Sequence, residues 1–137
     1  MKTQKTEIIA EIANAHQGNT KNAIKLAEQA YMAGACAVKF QIYFADELLI
    51  QNHPRYLHFK NQSFKISEWN EIIKKTRKLD IKIYCDVFGM KAFEIAKKNN
   101  IDGIKIHSSD LSNSELLECC NKYFNKIIIG IYKFINY

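Results

Sequence analysis

AVKFQ at residues 37–41 and GIKIH at residues 103–107 each carry a lysine inside an apolar, β-branched run. Runs of this kind alternate along the chain with helix-period segments, and that order reads as repeated βα units around a parallel sheet. A strand buried on both faces is continuously apolar, so each of these lysines needs a partner or a ligand. Side chains alternate along a strand. Lys39 and Gln41 therefore share one face while Val38 and Phe40 take the other, and Lys105 and His107 oppose Ile104 and Ile106. With the apolar alternates packed on helices, both ammonium groups enter the inner side of the sheet or barrel.

Working outward, residues 7–12 (EIIAEI) form the first strand and 14–20 a polar loop. Asn19 or Thr20 caps a helix that carries Ala23, Ile24, Leu26, Ala27, Ala30 and Tyr31 on one face and stops at Gly34. The second strand is 35–42. Residues 43–64, with Pro54 and the cluster His53, Arg55, Tyr56, His58 and Phe59, read as an extended, ordered loop. Ser67 opens a helix through Leu79, with Trp69, Ile72 and Ile73 inward. A strand at 81–87, a helix at 90–99, a strand at 103–106, a helix from about Asn113 and a strand at 126–131 complete the series. The expected fold class is α/β, with about five parallel strands and four helices. The five glycines form no G-x-G-x-x-G after the first strand, which takes support from a doubly wound sheet and leaves a partial (β/α)8 TIM barrel as the other fit.

Composition agrees with one globular unit: 137 residues, 47% apolar and 25% charged, with one Pro, which excludes a disordered chain. No stretch approaches the roughly 20 apolar residues of a membrane helix. The start, 1–5, is polar with no apolar segment behind it, so the expected location is cytoplasmic. The four cysteines lack CxxC spacing and read as structural thiols. A net charge of +6 suggests anionic partners. Lys74, Lys75, Arg77, Lys78, Lys97 and Lys98 fall on helix faces and ends without interleaved aromatics, so they read as solvated faces and not as a nucleic-acid footprint.

The strand ends carry the chemistry. Glu11 closes the first strand, Lys39 and Gln41 lie on the second, Asp86 ends the third, and Lys105 precedes Ser108 and Asp110 after the fourth. Two ammonium groups with Ser108 beside them suit a small dianion such as a phosphate ester. Glu11 and Asp110 then balance charge or act as acid and base. Alternatively, Lys39, Lys105, Glu11 and Asp110 pair with one another as buried salt bridges. Four adjacent strands placing ionisable groups at one end favours a ligand site, since barrel sites cluster at that rim. His16, in the loop after the first strand, is either an acid/base or ligand at the rim or a structural hydrogen bonder, and His107 is either a satisfied polar group or part of the pocket. His53 and His58 have no partner at a metal-binding spacing. Tyr56, Phe59 and Trp69 read as a packed lid.

Four blocks in this order, IIAEIANAHQG (8–18), AGACAVKFQIYFADELL (33–49), YCDVFG (84–89) and GIKIHSSDLSN (103–113), resemble the sialic acid synthase family over about residues 7–130. The resemblance implies a (β/α)8 barrel, usually followed by a small antifreeze-like domain. It implies condensation of phosphoenolpyruvate with an N-acylated hexosamine such as N-acetylmannosamine to give a nine-carbon sialic acid and phosphate. By the same resemblance a divalent metal, Mn or Mg, assists, bound by histidines of barrel units that this sequence does not contain. Lys39, Lys105 and Ser108 match the residues that grip phosphoenolpyruvate, Gln41 a pocket residue, Glu11 the carboxylate at the sugar and reacting centre, and Asp110 an acidic residue that activates water.

The sequence departs from that pattern at the third strand end, where the family's S-T-P-F reads Cys85, Asp86, Val87, Phe88, a carboxylate replacing a hydroxyl near the phosphate. The Asn-His pair after the first strand reads Ala15, His16, with Asn14 displaced by one. After KIIIG (126–130) the sequence runs into IYKFINY, whereas a full barrel takes about 250 residues. The expectation is an N-terminal half barrel, 1–137, without the antifreeze-like domain, which forms a homo-oligomer or associates through its first and fifth strands as open edges. Three functions fit: a phosphoenolpyruvate-dependent sugar-acid synthase, a non-catalytic half-barrel that binds a phosphoanion or a partner chain, or a related aldol-type synthase making Kdo 8-phosphate or the shikimate precursor.

Overall fold

A computed structural model of the chain describes residues 6–131. The polar start at 1–5 and the end of the IYKFINY segment, 132–137, lie outside the described residues. Five parallel strands form one sheet in the order β1-β2-β3-β4-β5: β1 Ile9–Ala13, β2 Ala37–Ile42, β3 Lys82–Val87, β4 Gly103–Ile106 and β5 Ile127–Ile129. Strand order follows chain order, so each crossover helix lies on the same face, as in a barrel wall.

The alternation read from the sequence is realised. Val38, Phe40 and Ile42 of β2, Ile83, Cys85 and Val87 of β3, and Ile104 and Ile106 of β4 are buried in one apolar cluster with the helices. These helices are α1 (Thr20–Met32), α4 (Ile66–Thr76), α5 (Gly89–Lys98) and α6 (Ser114–Tyr123), which contribute Ala23, Ala27, Trp69, Ile72, Phe93 and Leu116. Asn19, not Thr20, caps α1, its side chain accepting from the Asn22 N–H at 3.1 Å. Asn113 caps α6 in the same way through the Leu116 N–H. α4 begins one residue before Ser67, because the Glu68 carboxylate accepts from the Lys65 N–H at 2.7 Å and fixes the first turn there.

The connection from β2 to α4 differs from the expected extended loop. It contains two short helices, α2 (Ala45–Leu48) and α3 (Tyr56–Gln62), which makes six α-helices among the described residues in place of the four expected. The Tyr56 hydroxyl donates to Asp46 and ties α3 to α2. The three aromatics expected as one lid separate: Trp69 is in the core, Tyr56 is buried against α2, and Phe59 faces the strand ends. Gly18 is required where the β1–α1 loop meets α3. Its φ is +70°, and a Cβ there would stand 2.4 Å from the Asn61 carbonyl oxygen.

The sheet is strongly curved. Glu7, just before β1, bonds Lys126, just before β5, at 2.5 Å, and also Lys82 at 2.9 Å and the Tyr84 hydroxyl at 2.8 Å. Four strand steps of about 4.8 Å in a flat sheet would part them by about 19 Å, beyond the joint reach of the two side chains. β1 and β5 are the edges of this arc, with Ile8, Ile129 and Ile131 exposed beside them. No helix among the described residues is long and apolar enough to cross a membrane. The four thiols are unpaired, and burial pushes those of Cys85 and Cys120 up, so they are packing groups.

Candidate active site

Register places the ionisable groups side by side on the inner face. Glu11 is level with Lys39, Gln41 with Asp86, and Asp86 with Lys105. At the end of β1 a bulge turns Ala13 to φ 45°, and one Glu11 oxygen accepts the freed Ala13 N–H at 3.1 Å. The other Glu11 oxygen pairs with the Lys39 ammonium. Lys39 reaches onward to Asp86 Oδ1 at 2.7 Å, and Lys105 meets Asp86 Oδ2 at 3.1 Å. A relay Glu11–Lys39–Asp86–Lys105 thus crosses four strands with alternating sign.

The electrostatics follow from burial. Asp86 is fully enclosed and Lys39 is 7% exposed, while Lys105 and Glu11 reach toward solvent. Burial pulls the Lys39 ammonium toward neutrality, but hydrogen bonds to Asp86 and Glu11 outweigh it and hold its pKa above the ordinary lysine value. Asp86, named in the sequence as a departure, is the centre of the network. Asp110, expected as a partner of the lysines, is not in it. Asp110 lies in a 3-10 turn, Ser108–Asp110, and accepts from the Ser109 hydroxyl at 3.2 Å. The turn carries the carboxylate past the strand face, a displacement that strand alternation does not encode.

Above the relay opens a cleft of about 470 Å³ lined by Asn14, Gln41, Tyr43, Leu48, Leu49, His53, Arg55, Phe59, Phe88 and His107. It sits where β1, β2, β3 and β4 end, the functional rim of a barrel. A larger groove of about 540 Å³ lies outside, along α5, with Ile66, Met90 and three lysines, remote from the strand ends. His107 Nδ1 is 3.0 Å from the Ser109 hydroxyl, and its ring stacks 5.1 Å from Phe88. Ser108 begins the turn at the same rim, and its backbone nitrogen would be 3.8 Å from a Cβ on Gly130.

His16 goes elsewhere. It is fully buried, 4.5 Å from Phe64 and 6.3 Å from Trp69 between ring centroids, on the helix side of the sheet with Phe40. Its Nδ1 accepts from the Gly18 N–H at 3.1 Å, and burial lowers its pKa. His16 is therefore a structural hydrogen bonder, the alternative left open in the sequence.

Several rim residues escaped the sequence reading. Tyr43 continues the Lys39–Gln41 alternation, and that period was the available signal. Its hydroxyl is buried without a hydrogen-bond partner among the described residues, as is Asn14 Oδ1, and burial pushes the Tyr43 pKa up to about 12. Arg55 lies over the Phe59 ring at 4.9 Å. Among the described residues no group of three or more His, Cys, Asp or Glu side chains converges as a metal site, so the described donors do not fit the divalent ion implied by the resemblance.

A curved parallel wall with ionisable groups at its carboxyl end has the architecture of part of a (β/α)8 barrel. A sequence model of the NeuB family matches residues 26–131, and the chain belongs to that family. An uncharacterised protein of Methanocaldococcus jannaschii is 30% identical over 129 residues, covering 94% of this chain and 38% of that protein. The N-acetylneuraminic acid synthetase of Leptospira borgpetersenii, solved with citrate, superposes with a TM-score of 0.85 at 26% identity, over 96% of this chain and 47% of that one. Bacillus subtilis spore coat polysaccharide biosynthesis protein SpsE shares the fold, with a TM-score of 0.71 at 24% identity over 93% of this chain and 36% of that one. The chain thus spans less than half the length of each of these relatives.

Proposed function

We propose that this chain supplies the phosphoenolpyruvate side of a sugar-acid synthase site. The reaction is condensation of phosphoenolpyruvate with an N-acylated hexosamine, such as N-acetylmannosamine, to a sialic acid-type product and phosphate. The observation that supports it is the relay itself: Glu11 and Lys39 form one level, Asp86 and Lys105 the next, and the Lys39–Asp86 bond joins them across four adjacent strands beneath the rim cleft. In this reading Lys39, Lys105 and Ser108 hold the phosphate and carboxylate of phosphoenolpyruvate, and Gln41 lines its pocket.

Each group has a task set by the charge that develops. Enolpyruvate C3 attacks the sugar aldehyde, C2 becomes cationic, water adds there and phosphate leaves. Fixed ammonium groups oppose the growing charge on phosphate. Glu11, the most accessible carboxylate of the relay, steadies the cationic carbon, and Asp110 at the rim takes the proton from water. Aromatic walls from Tyr43, Phe59 and Phe88 exclude water from the cleft. No step here runs through a metal; the family's divalent ion would take its donors from outside the described residues.

Incubation of the 137-residue chain with phosphoenolpyruvate, N-acetylmannosamine and Mn, followed by phosphate and sialic acid release, tests the reading. Release of both products supports it. A second reading, a non-catalytic half-barrel that binds a phosphoanion or pairs with another chain through β1 and β5, is favoured by the neutral charge balance of the relay and the exposed edges of the arc. Phosphoenolpyruvate that protects against unfolding without turnover selects it.

A further inference from the structure

We propose that Asp86 sets the anion affinity of the Lys39–Lys105 pair: its carboxylate fills the gap between the two ammonium groups as a built-in anion, so the native chain takes a phosphoanion weakly and a chain without that charge takes it strongly. The proposal rests on the reading of these two lysines as ligand-binding groups and alters the strength assigned to them.

Three observations carry it. Asp86 spends both oxygens on the lysines, Oδ1 on Lys39 at 2.7 Å and Oδ2 on Lys105 at 3.1 Å. Asp86 is also wholly enclosed, and its backbone is held in register on both sides, by Gln41 on β2 and Lys105 on β4. The carboxylate therefore has no solvent-facing position to which it can withdraw when a ligand arrives. Finally, Glu11 occupies the other side of Lys39, so two ammonium groups already face two carboxylates. An entering dianion meets a balanced cluster and adds like charge beside a carboxylate that cannot leave.

The consequence for ligand class is specific. Lys105 is the more accessible ammonium of the pair, with 23% of its side chain exposed against 8% for Lys39, so an anion approaching the pair from solvent meets Lys105 and not both. One cation with a carboxylate behind it favours a singly charged or neutral hydrogen-bonding group at this point. Removing the Asp86 charge leaves two ammonium groups against Glu11 alone, with a net positive charge. Removing its volume as well leaves a gap between them the size of a carboxylate, where an anion can touch both.

The test compares the native chain with Asp86→Asn, which keeps shape and removes charge, and Asp86→Ser, which removes both. Binding of inorganic phosphate and, separately, phosphoenolpyruvate is measured by calorimetry, with circular dichroism reporting the fold. The expected result is phosphate binding tighter by about tenfold or more in both variants. Equal phosphate affinity in the native chain and the folded variants overturns the proposal. Equal and tight phosphoenolpyruvate binding by all three overturns it while the synthase reading stands, and no binding of either anion by any of them overturns both. Should a variant unfold in buffer, refolding on addition of phosphate supports the proposal, and failure of both variants to refold counts against it.

Discussion

Glu7 and Lys126 are ion-paired at 2.5 Å although they precede the first and last strands of the sheet. Hydrogen bonds from Lys126, Lys82 and the Tyr84 hydroxyl hold the Glu7 carboxyl down at about 2, against an ordinary value of 4.5. This cluster lies at the end of the arc opposite the cleft, where barrels keep stability and not catalysis. The unfolded chain takes up a proton near 4.5 and the folded chain only near 2, so the stability from this group is complete above 4.5 and is lost as pH falls toward 2. Glu7→Gln is therefore expected to flatten the fall in Tm between about pH 5 and pH 3. Parallel native and variant curves would show that the pair contributes nothing.

Lys39 and Lys105 both bond Asp86 but should not be equivalent. Lys39→Ala leaves the buried Asp86 with only the more exposed lysine and is expected to cost about 3–5 kcal/mol, as for breaking a buried pair. Lys105→Ala leaves Asp86 its 2.7 Å bond to Lys39 and is expected to cost about 1–2 kcal/mol. Denaturant unfolding measures both, and a larger loss at Lys105 would invert the assignment. If these lysines hold phosphoenolpyruvate, each variant weakens its binding by more than about tenfold, since a charge-assisted bond is worth about 1.5–3 kcal/mol.

Gly18→Ala combines an unfavourable φ of +70° with a Cβ 2.4 Å from a backbone oxygen. Backbone cannot yield as a side chain can, so the expected cost is about 2 kcal/mol or more. Because the clash falls on α3, the near-ultraviolet dichroism of Phe59 and Tyr43 should weaken along with stability. A variant as stable as the native chain would mean that the β1–α1 loop and α3 part freely.

The four main helices and the five strands were legible because each buries one face, and burial imposes a period of two or of 3.6 residues on the sequence. α2 and α3 were not, since helices of four and seven residues are too short to display a period. At the site the same logic holds. Lys39, Gln41, Asp86 and Lys105 lie on regular strands, and alternation alone places them on one face. His16 and Asp110 follow strand ends, where turns choose the side-chain direction, and both depart from the relay. Glu7 shares the alternation of Glu11, yet its partner Lys126 is remote in sequence and becomes visible only once the sheet is curved.

Tyr43 and Asn14 bring unpartnered buried oxygens to one cleft. An unpaired buried hydroxyl contributes no net stability, so Tyr43→Phe is expected to be neutral or stabilising by up to about 1 kcal/mol. If the hydroxyl meets the acceptor sugar in the synthase reading, the same variant raises the acceptor KM and leaves phosphoenolpyruvate affinity alone. A destabilised variant with unchanged kinetics would assign Tyr43 to packing.

His16 provides an acid-side probe of the core, because the single tryptophan, Trp69, packs against it and reports through its fluorescence. Burial lowers the His16 pKa below 6.5, so the folded chain keeps it neutral while the unfolded chain protonates it. The unfolded state then binds more protons as pH drops below 6.5, and stability falls from there until the lowered folded-state value is passed. The native chain should show this loss as pH falls below 6.5, and His16→Phe, which fills the same aromatic niche with Phe64 and Trp69, should remove it. The variant also frees the Gly18 N–H that His16 Nδ1 accepts, so its stability at about pH 8 should be lower by about 1 kcal/mol. A pH slope that persists in His16→Phe would place the titrating group elsewhere in the core.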